Sequence, residues 1–154
     1  MTMPKVDSPA PMLNGSTDQT PFRLSDHLGK KVVVYFYPKD MTPGCTTEAQ
    51  GFRDALSSFE AANTVIVGVS KDSCARHARF REKHDLPFWL ISDESGEICE
   101  GWGVWQEKKN YGRTYMGIVR STFVVNENGV IAHSWPKVRV KGHVDEVLAA
   151  VQAK

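Results

Sequence analysis

The segment "YPKDMTPGCTTEAQ", residues 37–50, places a cysteine directly after a proline and a glycine. If "TPGC" opens a helix, Thr42 takes the N-cap and Pro43 the first helical position, where its missing N–H costs nothing; Cys45 falls third. The unpaired amide N–H groups and the positive end of the helix dipole then face the sulfur. That setting favours a thiolate, which is the nucleophilic form. A free thiol is ionised to only a few per cent at neutral pH, and making it mostly thiolate takes about 2.7 kcal/mol. A helix terminus supplies ~2 kcal/mol at best, so a cation must provide the remainder. Arg120, in "MGIVRSTFVV", is the candidate: if its strand runs antiparallel beside residues 32–37, the arginine lies at the same edge as Cys45. On these local patterns alone two readings stand. Cys45 is an activated nucleophile or a small buried side chain at a helix start, and Arg120 reads equally as an arginine on a solvated strand face.

The elements that must position these groups follow from periodicity. "VVVYFY" (32–37) is a β-branched and aromatic run, hence a buried central strand. A helix is expected from Pro43 to about Ala61, with Phe52, Leu56 and Phe59 on one face. "TVIVGVS" (64–70) is a second strand; Ser73 then caps a helix with Ala75, Ala78 and Phe80 on its apolar face. "FWLIS" (88–92) is a third strand, followed by a short helical segment in "GEICEGWGVW". Residues 118–125 and 130–135 flank "NENG", a hairpin turn signal, and "HVDEVLAAVQ" is a closing amphipathic helix. Residues 1–22 read as an extended arm with a short hairpin, and "RLSDHLGKK" as a turn stopped by Gly29. The order predicts an α/β sandwich whose first strands are parallel, with right-handed crossovers. Loops after strands 32–37 and 64–69 then emerge at one sheet edge, which makes Cys45 and Cys74 neighbours in expectation.

The 154 residues suit one domain with its own core, taken as 1–154. Nineteen Lys and Arg nearly balance eighteen Asp and Glu, leaving no electrostatic footprint for nucleic acid and no polybasic membrane patch. The apolar runs are strand-length, too short to span a bilayer. No secretory leader is visible, and three cysteines are too few for a disulfide framework. These features predict a soluble, cytoplasmic, single-domain protein.

"YFYPKDMTPGCTTEA" resembles the peroxiredoxin signature P-x-x-x-T-x-x-C, filled by Pro38, Thr42 and Cys45. The flanks "VVVYFYPKD", "PGCTTEA" and "GFRD" are similar to Q-type peroxiredoxins, also called bacterioferritin comigratory proteins. The likeness continues through "VIVGVSKDS", "KHDLPFWLISDESGE", "YGRTYMGIVRSTFVV" and "NENGVI", from about residue 22 to the end. It implies a thioredoxin-like fold, a central mixed sheet flanked by helices, and reduction of hydrogen peroxide or organic hydroperoxides. Cys45 is then the peroxidatic cysteine. Thr42 Oγ1 bonds the sulfur or the peroxide, backbone N–H groups near Gly44 and Cys45 hold oxygen, and Pro38 shields the thiolate. Arg120 matches the family's catalytic arginine. Glu48, three residues after Cys45 on the same helical face, is expected to pair with an arginine, with a solvated glutamate as the alternative. No metal, haem or flavin is required. Relatives of this type are mostly monomers, with some dimers, and are regenerated by thioredoxin or another thiol.

One position departs from the pattern. Many Q-type members carry a resolving cysteine five residues after the peroxidatic one, where this chain has Gln50; others place it in the next helix, in the register of Arg81. Cys74 lies two helical turns before Arg81 on roughly the same face and is the substitute candidate. A disulfide needs Cα atoms within about 7 Å, so one or both helix starts would have to unwind. The competing reading is a one-Cys enzyme reduced directly by an external thiol. Cys99, before Trp102, reads as a packed apolar residue.

Other constellations are weak. The five histidines show no zinc spacing with a cysteine, and His77 and His84 read as surface residues on one helical face. "QEKKNYGR" reads as a basic surface loop, and "GCTT" lacks the second cysteine of a C-x-x-C oxidoreductase. A redox sensor or holdase with little turnover is the remaining alternative.

Overall fold

The computed structural model describes residues 2–153, so both ends of the expected 1–154 domain lie just outside it. In chain order it contains β1 (Asn14–Thr17), β2 (Phe22–Arg23), a 3-10 turn (Leu24–His27), β3 (Lys31–Phe36), α1 (Pro43–Asp54) and α2 (Leu56–Ala61). Then come β4 (Thr64–Ser70), α3 (Cys74–His84), β5 (Trp89–Ser92), α4 (Glu97–Gly101), β6 (Trp105–Asn110) and β7 (Arg113–Ile118). The last elements are β8 (Ser121–Val125), β9 (Ile131–Trp135) and α5 (His143–Gln152).

Seven strands form one mixed sheet in the order β2-β1-β5-β4-β3-β8-β9. β3 runs parallel to β4 and β4 to β5, while β8 lies antiparallel on the other side of β3. The parallel core and thioredoxin-like class are those expected. β3 is buried on both faces because its alternating side chains feed two cores. Val33, Tyr35 and Tyr37 join Cys45, Phe52, Phe59, Phe80 and Val147 beneath the helices. Val32, Val34 and Phe36 join Phe22, Ile98, Trp102 and Phe123 on the opposite face. Gly68 on β4 admits the Tyr35 ring, since a Cβ there would lie 2.8 Å from Tyr35 Cζ.

Four expectations are corrected. The helix expected over 43–61 breaks at Ala55, whose ψ of 2° leaves the helical region, so α1 and α2 are separate. Residues 118–125 are two strands, split at Val119 and Arg120. "QEKKNYGR" is the hairpin of β6 and β7, turning through Tyr111 and Gly112 with φ of 52° and 76°. On α3 the inward residues are His77 and Phe80, whereas Ala75 and Ala78 are exposed, because His77 has a buried ionic partner.

Among the described residues no helix is long and apolar enough to cross a membrane. Lys31 ties two helix ends to the sheet: its Nζ donates to Ala62 O at 3.2 Å, beyond α2, and to Val151 O at 2.9 Å, in α5. A cation there bonds carbonyls at helix ends, where Ala62 O also accepts from the Thr64 hydroxyl at 3.1 Å. Replacing Lys31 by methionine keeps the stem but removes both donors. Lys31→Met is expected to lower unfolding stability by about 1–3 kcal/mol, read as a lower urea midpoint at unchanged slope.

Candidate active site

β3 ends at Phe36, and the next residues carry the chain over the sheet edge into α1. Thr42 is extended (φ −89°, ψ 153°) and Pro43 begins the helix, so Cys45 is its third residue. Thr42 is the N-cap by backbone only. Its Oγ1 donates to Lys39 O at 2.8 Å and makes no capping bond. The hydroxyl proton is thereby committed, leaving oxygen lone pairs to accept a bond from above. The amides of Gly44 and Cys45 fall in the first helical turn, where no intrahelical acceptor exists. Cys45 is 1% exposed.

Arg120 occupies the two-residue gap between β7 and β8. The antiparallel register pairs Ser121 with Phe36, which puts Arg120 beyond the C-terminal end of β3, at the edge where α1 starts. Val119 N donates to Val104 O at 2.8 Å, and Arg120 O accepts from Val138 N at 2.9 Å, so the gap is held from both sides. The guanidinium then reaches two groups on α1. Nη2 donates to Cys45 Sγ at 3.3 Å and Nη1 to Glu48 Oε1 at 2.6 Å. Gly44 leaves the space, because a Cβ at that position would lie 3.2 Å from Arg120 Nη2.

Glu48 is wholly buried, and its Oε2 has no partner among the described residues. Burial raises its pKa from 4.5 to about 7, against the opposing charge and hydrogen bond of Arg120. For Arg120 burial works against the charge, yet Glu48 and Cys45 together hold its pKa above the ordinary value. Two more basic groups border the site. Lys108 Nζ donates to Ile118 O at 3.0 Å, with its pKa lowered by burial and by Arg120. His143 Nε2 lies 2.8 Å from Thr122 Oγ1, and burial pushes its pKa down to about 4, so it is neutral at pH 7.

The other expected residues are placed differently. Pro38 is exposed, one residue beyond Tyr37. Cys74 is the first residue of α3, half-buried, after a Ser73 cap whose Oγ accepts from Arg76 N at 3.2 Å. Cys99 is buried, and burial with the nearby Asp93 carboxylate raises its thiol pKa far above the ordinary range. All three cysteines are free. The two positions where the family pattern would put a resolving thiol hold tethers instead. Gln50 Nε2 lies 3.3 Å from His84 Nδ1, joining α1 to α3. Arg81 grips Asp18 through Nε at 2.7 Å and Nη2 at 3.1 Å, joining α3 to the loop after β1. A hollow of about 270 Å³ near Glu60 and Trp89 lies by the start of β4, and no cysteine lines it.

His77, expected at the surface, is 0% exposed. Its Nδ1 lies 2.6 Å from Asp40 Oδ2 and its Nε2 2.9 Å from Ile91 O. Asp40, Asp72 and His77 converge closely enough for a metal ion. Their ligand atoms are already occupied, however. Asp40 Oδ1 accepts from Tyr37 Oη, Asp72 Oδ2 from Ser70 Oγ and Asp40 N, and Asp72 Oδ1 from Arg76 Nε. The cluster is a closed hydrogen-bond network. Sequence spacing gave one signal for it: His77, Phe80 and His84 recur at i, i+3 and i+7, the stripe that faces a core.

Known proteins resemble this chain along most of its length. A family model described as AhpC/TSA family matches residues 6–134. Peroxiredoxin Bcp of Bacillus subtilis is 51% identical over 140 residues, 91% of this chain and 88% of that one. The structure of a PrxQ mutant from Xylella fastidiosa superposes with a TM-score of 0.90 at 34% identity, covering 99% of this chain and 98% of that one. A bacterioferritin comigratory protein of Xanthomonas campestris, solved as trapped intermediate and ligand complexes bearing on its alkyl peroxide reduction activity, gives a TM-score of 0.85 at 38% identity over 99% and 98% of the two chains.

The Glu48 environment sets a pH dependence. Its folded pKa lies above its ordinary value, so the folded state binds the extra proton and is relatively favoured below pH 4.5. That advantage is lost as pH rises through about 7. From pH 5 to pH 8 the wild type is expected to lose on the order of 3 kcal/mol of stability relative to Glu48→Gln, which cannot titrate. Urea unfolding of both proteins across that range measures it.

Proposed function

The chain belongs to the AhpC/TSA family, and from that premise we propose that it is a peroxiredoxin in which Cys45 attacks a hydroperoxide with the help of Arg120, Thr42 and Pro38. The observation that carries the assignment is the Arg120 guanidinium, 3.3 Å from Cys45 Sγ and anchored on Glu48. One of its N–H groups donates to the sulfur, and its remaining N–H donors are available to a peroxide oxygen. The sulfur attacks the distal oxygen and the O–O bond breaks, with its electron pair going to the proximal oxygen. The peroxide proton passes to that oxygen, giving an alcohol or water, while the sulfur, oxidised by two electrons, is left as a sulfenate that takes a proton from water to become the sulfenic acid. Thr42 Oγ1, its own proton on Lys39 O, accepts the peroxide O–H and so orients it. Gly44 and Cys45 N–H groups and Arg120 stabilise charge as the bond stretches. To Pro38, exposed just beyond β3, we assign the shielding of the sulfur from water.

We assign regeneration to a thiol, with thioredoxin the expected reductant. The structure of the Xanthomonas campestris relative, concerned with alkyl peroxide reduction, supports organic hydroperoxides as substrates alongside hydrogen peroxide. Cys74 is the proposed internal resolving thiol, because it is the half-exposed one of the two remaining cysteines and Cys99 is held protonated in the core. Attack of Cys74 sulfur on the sulfenic sulfur releases water and forms a disulfide, which the external thiol then reduces. We further read the chain as one cytoplasmic domain acting as a monomer in cell redox homeostasis; three unbridged cysteines support a reducing compartment.

Two measurements test this. Cys45→Ser is expected to abolish peroxide consumption, whereas a holdase would survive it, and Arg120→Met to slow it roughly 100-fold or more. Reduced protein treated with one equivalent of hydrogen peroxide, blocked and peptide-mapped, is expected to show a Cys45–Cys74 disulfide. Sulfenic acid on Cys45 with Cys74 still a thiol would replace this cycle by one-Cys turnover.

A further inference from the structure

The loop that presents Cys45 does not adopt its shape freely. Met41, between Asp40 and Thr42, has φ of 68°, a left-handed conformation disfavoured for a large side chain. What holds it is the residue before. Asp40 is 1% exposed, and each of its polar groups is engaged. Its N–H donates to Asp72 Oδ2 at 2.8 Å, and its carbonyl accepts from Arg76 Nη2 at 3.2 Å. One carboxylate oxygen accepts from Tyr37 Oη and the other faces His77 Nδ1, both at 2.6 Å. His77 is fixed in turn, because Ile91 O only accepts and so requires a proton on Nε2.

We infer that His77 is a positioning residue for peroxide reduction: through Asp40 it fixes the loop that sets Thr42 and Cys45 against Arg120. The inference rests on the reading of Cys45 as peroxidatic. A buried ion pair is a poor device for stability alone, since desolvating both charges offsets much of their attraction. It is a good device for direction, because its hydrogen bonds tolerate only one arrangement of loop against helix.

The arrangement suits an imidazolium donating from both nitrogens. Burial lowers the His77 pKa, but the hydrogen bond and charge of Asp40, the Ile91 carbonyl and the charge of Asp72 together raise it above 6.5. Arg76 faces the same cluster from its own helix, bonded to Asp72. Burial and the Asp40 charge hold the Tyr37 phenol protonated well above its usual range, so it remains a donor. The pair is therefore complete below pH 6.5 and lost as pH rises through the raised His77 value.

The test uses full-length, reduced protein and hydrogen peroxide. Loss of the free Cys45 thiol is followed by quenched-flow trapping and mass spectrometry from pH 6 to 9, well below the melting temperature. Wild type, His77→Gln, Asp40→Asn and Tyr37→Phe are compared, with folding checked by circular dichroism. Expected are second-order rate constants lowered roughly 10- to 100-fold in folded His77→Gln and Asp40→Asn, a smaller loss in Tyr37→Phe, and an alkaline decline in wild type that His77→Gln lacks. Folded variants with wild-type rate constants and the wild-type pH profile would overturn the inference, whatever their melting temperatures. If the two ionic variants fail to fold, Tyr37→Phe decides it: a lowered constant supports positioning and a wild-type constant refutes it. A wild type inert to peroxide would instead overturn the reading of Cys45.

Discussion

One guanidinium organises this molecule. Arg120 must touch a sulfur and a carboxylate that lie more than seventy residues earlier, and the fold can be understood as the solution to that demand. Antiparallel pairing of β8 with β3 brings residue 120 to the edge where β3 delivers the chain into α1. The split between β7 and β8 leaves Arg120 outside the ladder, free to turn toward α1, while Val104 and Val138 hold the backbone on either side. Gly44 clears the last few tenths of an ångström. Each feature is ordinary alone; together they place a permanent cation over a helix N-terminus.

The same arrangement explains why the carboxylate is present. A bare glutamate three residues from a thiolate would oppose its charge, yet Glu48 is wholly buried with one oxygen on Arg120 and the other unpartnered. Its value near 7 makes the pair adjustable: deprotonated, Glu48 orients the guanidinium strongly; protonated, it releases positive charge toward the sulfur. Orientation and net charge thus pull in opposite directions, and the neutral pH range is where both are partly satisfied. Neutral His143 adds no further positive charge at that pH.

Much of this was legible in the sequence for a physical reason. Helix starts, buried parallel strands and turn signals are local, and "TPGC" or "NENG" carries its own geometry. The placement of Arg120 was legible only on the condition that its strand pairs antiparallel with residues 32–37, and the register of β8 on β3 meets that condition. What escaped was non-local pairing between polar residues. His77 looked exposed because it is polar, and Asp40, thirty-seven positions earlier, together with the Ile91 carbonyl makes its burial tolerable. Ala75 and Ala78 looked internal because they are apolar, yet on α3 polarity was a poor guide to the inner face. The β6–β7 hairpin was missed because β6 carries charge on both faces and β7 is exposed along most of its length, so neither shows the alternation that marks a half-buried strand.

His77 also divides α3 into two energetic parts. On its far side, Arg81 holds Asp18, and His84 is held by Gln50 and by Arg53, whose Nη1 donates to His84 O at 2.7 Å. On its near side, the first turn is held by the Ser73 cap and by Arg76 on Asp72, the arginine being 36% exposed. A cap contributes about 1 kcal/mol and a partly exposed ion pair about as much or less. Breaking a buried pair costs about 3–5 kcal/mol. Fraying from the start of α3 therefore proceeds cheaply through Cys74 and Ala75 and meets resistance at Arg76, which bonds both Asp72 and the Asp40 carbonyl, and at His77. On the reading that Cys74 resolves the sulfenic acid, the resolving thiol sits on the segment that can move while the clasp that positions Cys45 stays closed, so resolution need not dismantle the site that made the intermediate.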